Sequence, residues 1–426
     1  MTALEAFSIL ALPLAALAPG ALAVSLWGKR FRDDPLEFIF ASLAFGVLII
    51  GWPALLLAEL GVFSLLRLAV LWGGIVLILG LWRRRCAGQL LAPPASPRFS
   101  RWEMVALLLW LALASWLFFR PHEFITGGAD AGVYVNLGAN IARTGAILIR
   151  DPLLAALDRD LYPTLLRQLP PGEMAPFYIF PGFFVPAATD GLIIPQFYPL
   201  HPVWQAVAFA VGGLRTELLM TPLWGALGAL AVYFTVRRLW GWPAGLLALT
   251  GLSLSALQAW FARYPTAEML TQYLLWTGLW ALLAWLDGRK PLGLWATLAG
   301  AALGQVFLVR IDMYPLLLLP VGVGFWLWRT RGRRRESLGF FGLFGLFTVH
   351  SLVHGAIFSG PYFYGLLGYS LRLLRQFWLP GAGLLGLALV ILGVTVWRPA
   401  WRQRLFSAIA ARRRLCVWCP AFHRRR

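Results

Sequence analysis

Long apolar runs separated by short arginine clusters recur along the whole chain, and this pattern constrains the fold more than any other feature. Several runs reach the ~20 residues needed to cross the hydrocarbon layer of a bilayer. They are continuous rather than alternating, so they specify helices, which satisfy their own backbone groups in lipid, and not barrel strands. With 60% hydrophobic and 13% charged residues, a soluble chain of this length could not hide its apolar surface. The expected fold is an all-α polytopic membrane protein.

The formal charge of +19 does not point to nucleic acid. Lys29 and Lys290 are the only lysines among 37 basic residues, and the arginines lie mostly between apolar runs. That is the pattern that orients membrane helices, with basic ends on the cytoplasmic side. Several of the 22 tryptophans (Trp82, Trp240, Trp328, Trp397, Trp401) stand beside these clusters, as residues of interfacial belts do. Cys86, Cys416 and Cys419 provide no disulfide framework. The CxxC of Cys416 and Cys419, even with His423, is a ligand short of a closed zinc site.

Apolar runs near 3–27, 36–58, 62–82 and 103–119 are followed by others near 217–237, 241–261, 268–286, 291–309, 313–328, 337–358 and 381–397. About eleven spans result. Their inner ends carry Lys29 to Arg32, Arg83 to Arg85, Arg237-Arg238, Arg289-Lys290, Arg329 to Arg335 and Arg398 to Arg404. This places the amino terminus outside and the carboxyl terminus in the cytoplasm. Ala21-Leu22-Ala23 resembles a signal-peptidase site, but no basic segment precedes the run and Glu5 lies within it, so an uncleaved first helix is expected. Residues 1–85 read as a three-helix amino-terminal unit, and 86–102, with Pro93, Pro94 and Pro97, as a cytoplasmic linker. Residues 103–397 read as the main membrane domain. The basic tail, 398–426, is irregular and arginine-rich from Arg412 and reads as a truncated or frame-shifted end. No internal repeat of the transporter kind is visible.

The outer loop, about 120–200, is the one long segment of mixed polarity. It opens with Gly127 to Asp130, directly after a hydrophobic helix. From Ala131 to Thr144, Val133, Leu137 and Ile141 recur every four residues and Gly145 supplies a stop, which predicts an amphipathic helix lying in the membrane surface with Asp130 near its start. A carboxylate just outside the bilayer is a candidate for chemistry; capping of that helix is the alternative. Asp151-Pro152, the Phe-rich stretch Phe177 to Pro186, and Phe197 to Pro202 are expected to lie over the membrane as short helices. Arg263, Glu268, Arg310 and Asp312 fall at outer helix ends on the same side as Asp130. Charges at such depths are costly unless paired or functional, so they predict a shared cavity, with purely structural ion pairs as the alternative. His350 and His354 stand one helical turn apart, but no glutamate follows His350 and the zinc-protease motif is absent. Helix packing or contact with a lipid headgroup is the expected role; no cofactor is expected, and no ligand cluster points to a metal, although dependence on a divalent ion stays open.

From Trp102 to Trp328 the chain resembles the lipid-dependent glycosyltransferases of the GT-C superfamily, in particular the bacterial relatives of protein mannosyltransferases and aminoarabinose transferases, glycosyltransferase family 39-like. The resemblance rests on Asp130 to Tyr134 with Ala142 to Gly145, on Tyr198 to Pro202, and on Arg263 to Glu268. It implies transfer of a sugar from a polyprenyl-phosphate carrier to a cell-envelope glycan, lipid or protein at the outer face of a bacterial cytoplasmic membrane. It further implies Asp130 as the base or acceptor-orienting carboxylate, with Tyr134, Arg263, Glu268, Arg310, Asp312 and Asp151 binding substrate. Many relatives carry an Asp-Glu pair where this chain has Asp130-Ala131, so a second carboxylate would come from Asp151 or Asp190. A transporter or flippase for a lipid-linked substrate is the rival reading, and a non-catalytic scaffold the third.

Overall fold

The computed structural model describes residues 3–27, 34–87, 100–125, 130–168, 177–186, 191–330 and 334–397. The expectations placed on Lys29 to Arg32, Gly127 to Ala129, Asp190, most of the 86–102 linker and the 398–426 tail with its CxxC lie outside them. The chain forms two compact units, Met1–Phe363 and Tyr364–Arg426.

The first unit is mostly helical. It opens with α1 (Ala3–Ser25), α2 (Pro35–Glu59), α3 (Leu65–Ala87) and α4 (Arg101–Phe118), close to the bounds expected from hydropathy. Asp34 caps α2 by accepting from the Glu37 amide, and Ser100 caps α4 through the Trp102 amide. Small residues let α1 and α2 meet backbone to backbone. A Cβ on Gly46 would stand 1.7 Å from the Ala16 carbonyl oxygen, and one on Gly20 would stand 1.7 Å from that of Ser42. This is how helices gain packing energy where lipid offers no hydrophobic drive.

The outer segment then forms α5 (Asp130–Thr144), β1 (Ile149–Arg150), α6 (Pro152–Ala156), α7 (Tyr162–Leu165), β2 (Arg167–Gln168), β3 (Phe177–Phe180), β4 (Phe183–Pro186) and β5 (Leu192–Pro195). The expectation of short helices alone is corrected here. The strands build one antiparallel sheet in the order β1-β5-β4-β3-β2. Aromatic and β-branched residues favour the pleated conformation, and Pro181-Gly182 supplies a two-residue turn with Gly182 at φ +80°. A Cβ on Gly182 would fall 2.0 Å from a Val133 methyl, so the hairpin tip lies against α5. The placement of α5 differs as well. Val133, Leu137 and Ile141 are buried, and the helix packs on α8 (Leu200–Leu218) rather than turning that face to lipid.

Beyond α8 follow α9 (Met220–Trp240), α10 (Trp242–Ser253), α11 (Ala256–Phe261), α12 (Glu268–Leu286), α13 (Leu292–Gln305), α14 (Leu319–Thr330), α15 (Arg334–Phe358) and the start of α16 (Gly360–Trp397). Residues 200–217 carried no expected helix, yet they form α8, which meets α9 at 81°. The expected run 241–261 divides into α10 and α11 because Ser255 caps a new start by accepting from the Gln258 amide. Tighter 3-10 helix occupies Val306–Leu308 and Ile311–Leu318. Seven described helices are long and apolar enough to cross a membrane, or eight if the bent α8–α9 pair is one span; about eleven were expected. In the second unit, α16 continues to Trp397 with a break in helical geometry at Phe377, through residues 364–380, which lie in the interval between the expected runs 337–358 and 381–397.

At the ends that the sequence marks as inner, the arginines do more than orient. Arg237 donates to Glu103 at 2.7 Å and to Asp34 at 2.6 Å, Tyr233 donates to Glu103, and Arg289 pairs with Glu37. These pairs join α2, α4, α9 and the turn before α13. The tryptophans divide in two: Trp82, Trp240 and Trp328 are exposed, whereas Trp224, Trp280, Trp285 and Trp295 lie in the core.

Candidate functional site

Five of the seven residues singled out in the sequence line one cleft. Asp130 and Tyr134 come from the first turns of α5, Glu268 from the first residue of α12, and Arg310 and Asp312 from the turn after α13. Phe197, Tyr198 and Tyr362 complete the aromatic part of the wall. Asp130 occupies the first helical position of α5, not the residue before it, and its side chain is exposed.

Arg310 is the electrostatic centre. Its Nε and Nη2 donate to the two Asp312 oxygens at 3.0 and 2.9 Å, and Nη1 donates to Glu268 Oε1 at 2.5 Å. The Asp312 hydrogen bonds, then the Glu268 charge, hold the guanidinium above its ordinary range against the cost of burial. The other Glu268 oxygen is buried and unpartnered.

The aromatic wall is tied together by ring contacts and hydroxyl hydrogen bonds. Tyr134 stacks on Phe197 with ring centroids 4.9 Å apart and meets the edge of His201. Burial, reinforced by Glu268, pushes the Tyr134 phenol well above its usual range, so it stays protonated. The Tyr198 hydroxyl bonds that of Tyr314 at 3.1 Å, which bonds Ser351, which donates to the Phe307 carbonyl. Burial and the Tyr314 bond raise the Tyr198 phenol too.

Arg263 and Asp151 do not reach the cleft. Arg263 Nε donates to the Leu117 carbonyl at 2.6 Å, and its own carbonyl accepts from the His122 amide. It therefore staples the end of α4 to the turn before α12. Asp151 caps α6 by accepting from the Leu154 amide at 2.8 Å. Beside Arg263, His122 packs on Trp260 with centroids 4.8 Å apart. Burial and the Arg263 charge lower the His122 imidazole below its ordinary value.

Sequence reasoning missed Glu59, the last residue of α2. His350 Nε2 and His354 Nδ1 both reach its carboxylate, at 2.9 and 2.6 Å. Trp52 donates to His350 Nδ1 at 3.1 Å, so the opposite nitrogen of that ring carries the proton given to Glu59. His354 also lies edge-on to the cleft residue Tyr198. The histidines are thus packing groups that join α15 to α2. Trp52 in turn borders a second, apolar cavity of about 540 Å³, lined among others by Trp27, Phe45, Leu48 and Phe347. Among the described residues no group of three or more His, Cys, Asp or Glu is placed to hold a metal ion.

No protein-family model matches this chain, and neither a curated protein nor a solved structure matches it.

Proposed function

We propose that this protein is a GT-C-type glycosyltransferase that moves a sugar from a polyprenyl-phosphate carrier to an acceptor hydroxyl. The observation that carries the reading is the meeting of an exposed carboxylate, Asp130, with the Arg310–Glu268–Asp312 cluster in one aromatic-walled cleft. As the acceptor oxygen bonds to the anomeric carbon, the bond from that carbon to the phosphate oxygen breaks and its electron pair leaves on the phosphate. Asp130 takes the hydroxyl proton, and Arg310 stabilises the departing phosphate by charge-assisted hydrogen bonds. The tyrosines stay neutral and position the substrates. The cleft is narrow, about 40 Å³, room for a few water molecules. Substrate therefore enters as Asp312 or Glu268 releases Arg310. The apolar cavity beside Trp52 suits an isoprenoid or acyl chain.

In this reading the chain crosses a bacterial cytoplasmic membrane about eleven times, amino terminus outside and carboxyl terminus inside, with the cleft at the outer face. The acceptor is a cell-envelope glycan, lipid or protein. The 81° bend between α8 and α9 favours a second reading, transport of a lipid-linked substrate, because broken helices form transporter sites. The two separate in one assay. Membranes holding wild type or Asp130→Asn at matched levels receive labelled polyprenyl-phosphate sugars with native acceptors. Label passing to a new product in wild type alone is the expected result. Label that crosses the bilayer but stays on its lipid, in both proteins, replaces the enzyme by a transporter.

A further inference from the structure

The apolar cavity of about 540 Å³ is walled by α1, α2, α3, α13 and α15. One end of its lining is Trp27, just after α1, and Trp82, near the end of α3; both indoles are exposed. Trp27 lies against the start of α13: a Cβ on Gly293 would stand 2.2 Å from its ring. This is the end of the helices that carries the Arg237 and Arg289 ion pairs. The other end is Trp52 and Gln305, which is buried and donates to the Leu48 carbonyl at 3.1 Å. Between Thr297 and Gln305, α13 covers about 12 Å of this wall at 1.5 Å per residue.

Thr297 and Gln305 are the only lining residues that are not hydrophobic. Water finds too few hydrogen-bond partners on such a wall, and an empty space would deprive the lining of contacts along its whole length. A flexible hydrocarbon chain satisfies it. The charges beside the exposed end say what heads that chain. Arg83, Arg84 and Arg85 follow Trp82 directly. Arg237, Arg238 and Arg289 are each answered by a carboxylate, whereas among the described residues no carboxylate pairs with Arg83, Arg84 or Arg85. Arg83 is only 5% exposed, and its Nε has no hydrogen-bond partner. A buried cation in that state is costly, and a phosphate oxygen would relieve it by a charge-assisted hydrogen bond. Basic pockets between membrane helices hold anionic lipid headgroups in this way. A headgroup here stands at the opposite end of α13 from Arg310, so this lipid is not one whose head reaches the cleft.

We propose that the cavity seats an acyl chain of an anionic phospholipid whose phosphate lies on the Arg83 to Arg85 run, a lipid that joins α1, α2 and α3 to α13 and α15. The proposal does not depend on the glycosyl-transfer reading. Its test is native mass spectrometry of the full chain, delipidated in detergent and titrated with dioleoylphosphatidylglycerol, dioleoylphosphatidylcholine or a polyprenyl phosphate. The wild type should take up one phosphatidylglycerol saturably, at least about tenfold more tightly than phosphatidylcholine. Ala301→Phe, which fills the cavity, should lose that lipid. Replacing Arg83, Arg84 and Arg85 together by glutamine should bring the two phospholipids within about threefold of each other. Equal affinity of the wild type for both phospholipids overturns the proposal, even if the variants fail to fold. Phosphatidylglycerol held at full affinity by Ala301→Phe overturns it too. Polyprenyl phosphate that binds the wild type more tightly than phosphatidylglycerol and is lost in Ala301→Phe would give the cavity to an isoprenoid instead.

Discussion

Replacing Arg310 by methionine tests the cleft most directly, because it keeps an unbranched apolar stem and removes the guanidinium and its charge. Two partly exposed pairs are lost: the Arg310, Glu268 and Asp312 side chains are 28%, 32% and 51% exposed. Ion pairs this accessible contribute about 0.2–1 kcal/mol each, with the two-pronged Asp312 pair toward the upper end. The stability loss should therefore be about 1–2 kcal/mol, enlarged by the two carboxylates left facing one another. The catalytic loss should be much larger. Removing one preorganised donor from a developing negative charge costs about 10²–10³ in rate. Arg310→Lys, which restores charge without the planar fork, should recover only part of it. The assay pairs thermal unfolding with initial rates of sugar release from labelled polyprenyl-phosphate donors. Transfer by Arg310→Met within about threefold of wild type, in protein that unfolds normally, would refute the role given to this arginine.

Asp151→Asn should lower stability by about 1 kcal/mol at most through a weakened α6 cap, and should leave transfer within about twofold of wild type; a collapse of activity would bring Asp151 back into the site. Gly46→Leu should prevent the close approach of α1 and α2 and cost about 3 kcal/mol or more, seen as loss of folded protein in detergent, while a normal melting curve would show that these helices can separate freely. Because burial and the Arg263 charge hold the His122 imidazole below its ordinary value of 6.5 in the folded state, the unfolded chain binds more protons as pH falls. The stability it supports is full above pH 6.5 and declines as pH drops below that value. His122→Gln should flatten the slope of unfolding free energy just below pH 6.5 relative to wild type, and an unchanged slope would remove this group from the account.

Much of the site was legible in the linear chain because its signals are local. Val133, Leu137 and Ile141 at helical spacing, ending at Gly145, predict a helix over Ala131–Thr144, and α5 runs from Asp130 to Thr144. Charges stranded at the ends of apolar runs singled out Glu268, Arg310 and Asp312 before any fold was known. The sheet was also signalled, by Pro181-Gly182 between aromatic and β-branched residues, but the density of Phe and Pro hid a pattern only four residues long on each side. Arg263 and Asp151 show the limit. Each has the right charge in the right region, yet Arg263 is taken by the Leu117 carbonyl and Asp151 by an amide of its own loop.

What the sequence determined alone is whatever depends on a solvent and a short stretch of chain: apolar runs long enough to cross a bilayer, helix starts and stops, and which ends carry charge. Tertiary structure decided which of those charges meet. Glu59 reaches His350 and His354 across more than two hundred residues, Arg237 finds Asp34 and Glu103, and Glu217 is brought under Gly138. No local periodicity encodes such encounters, because they are fixed by where helices cross and by the small residues that let them cross closely. The same apolar face that predicts α5 is satisfied equally by lipid or by another helix, and only the packed chain shows that the partner is α8.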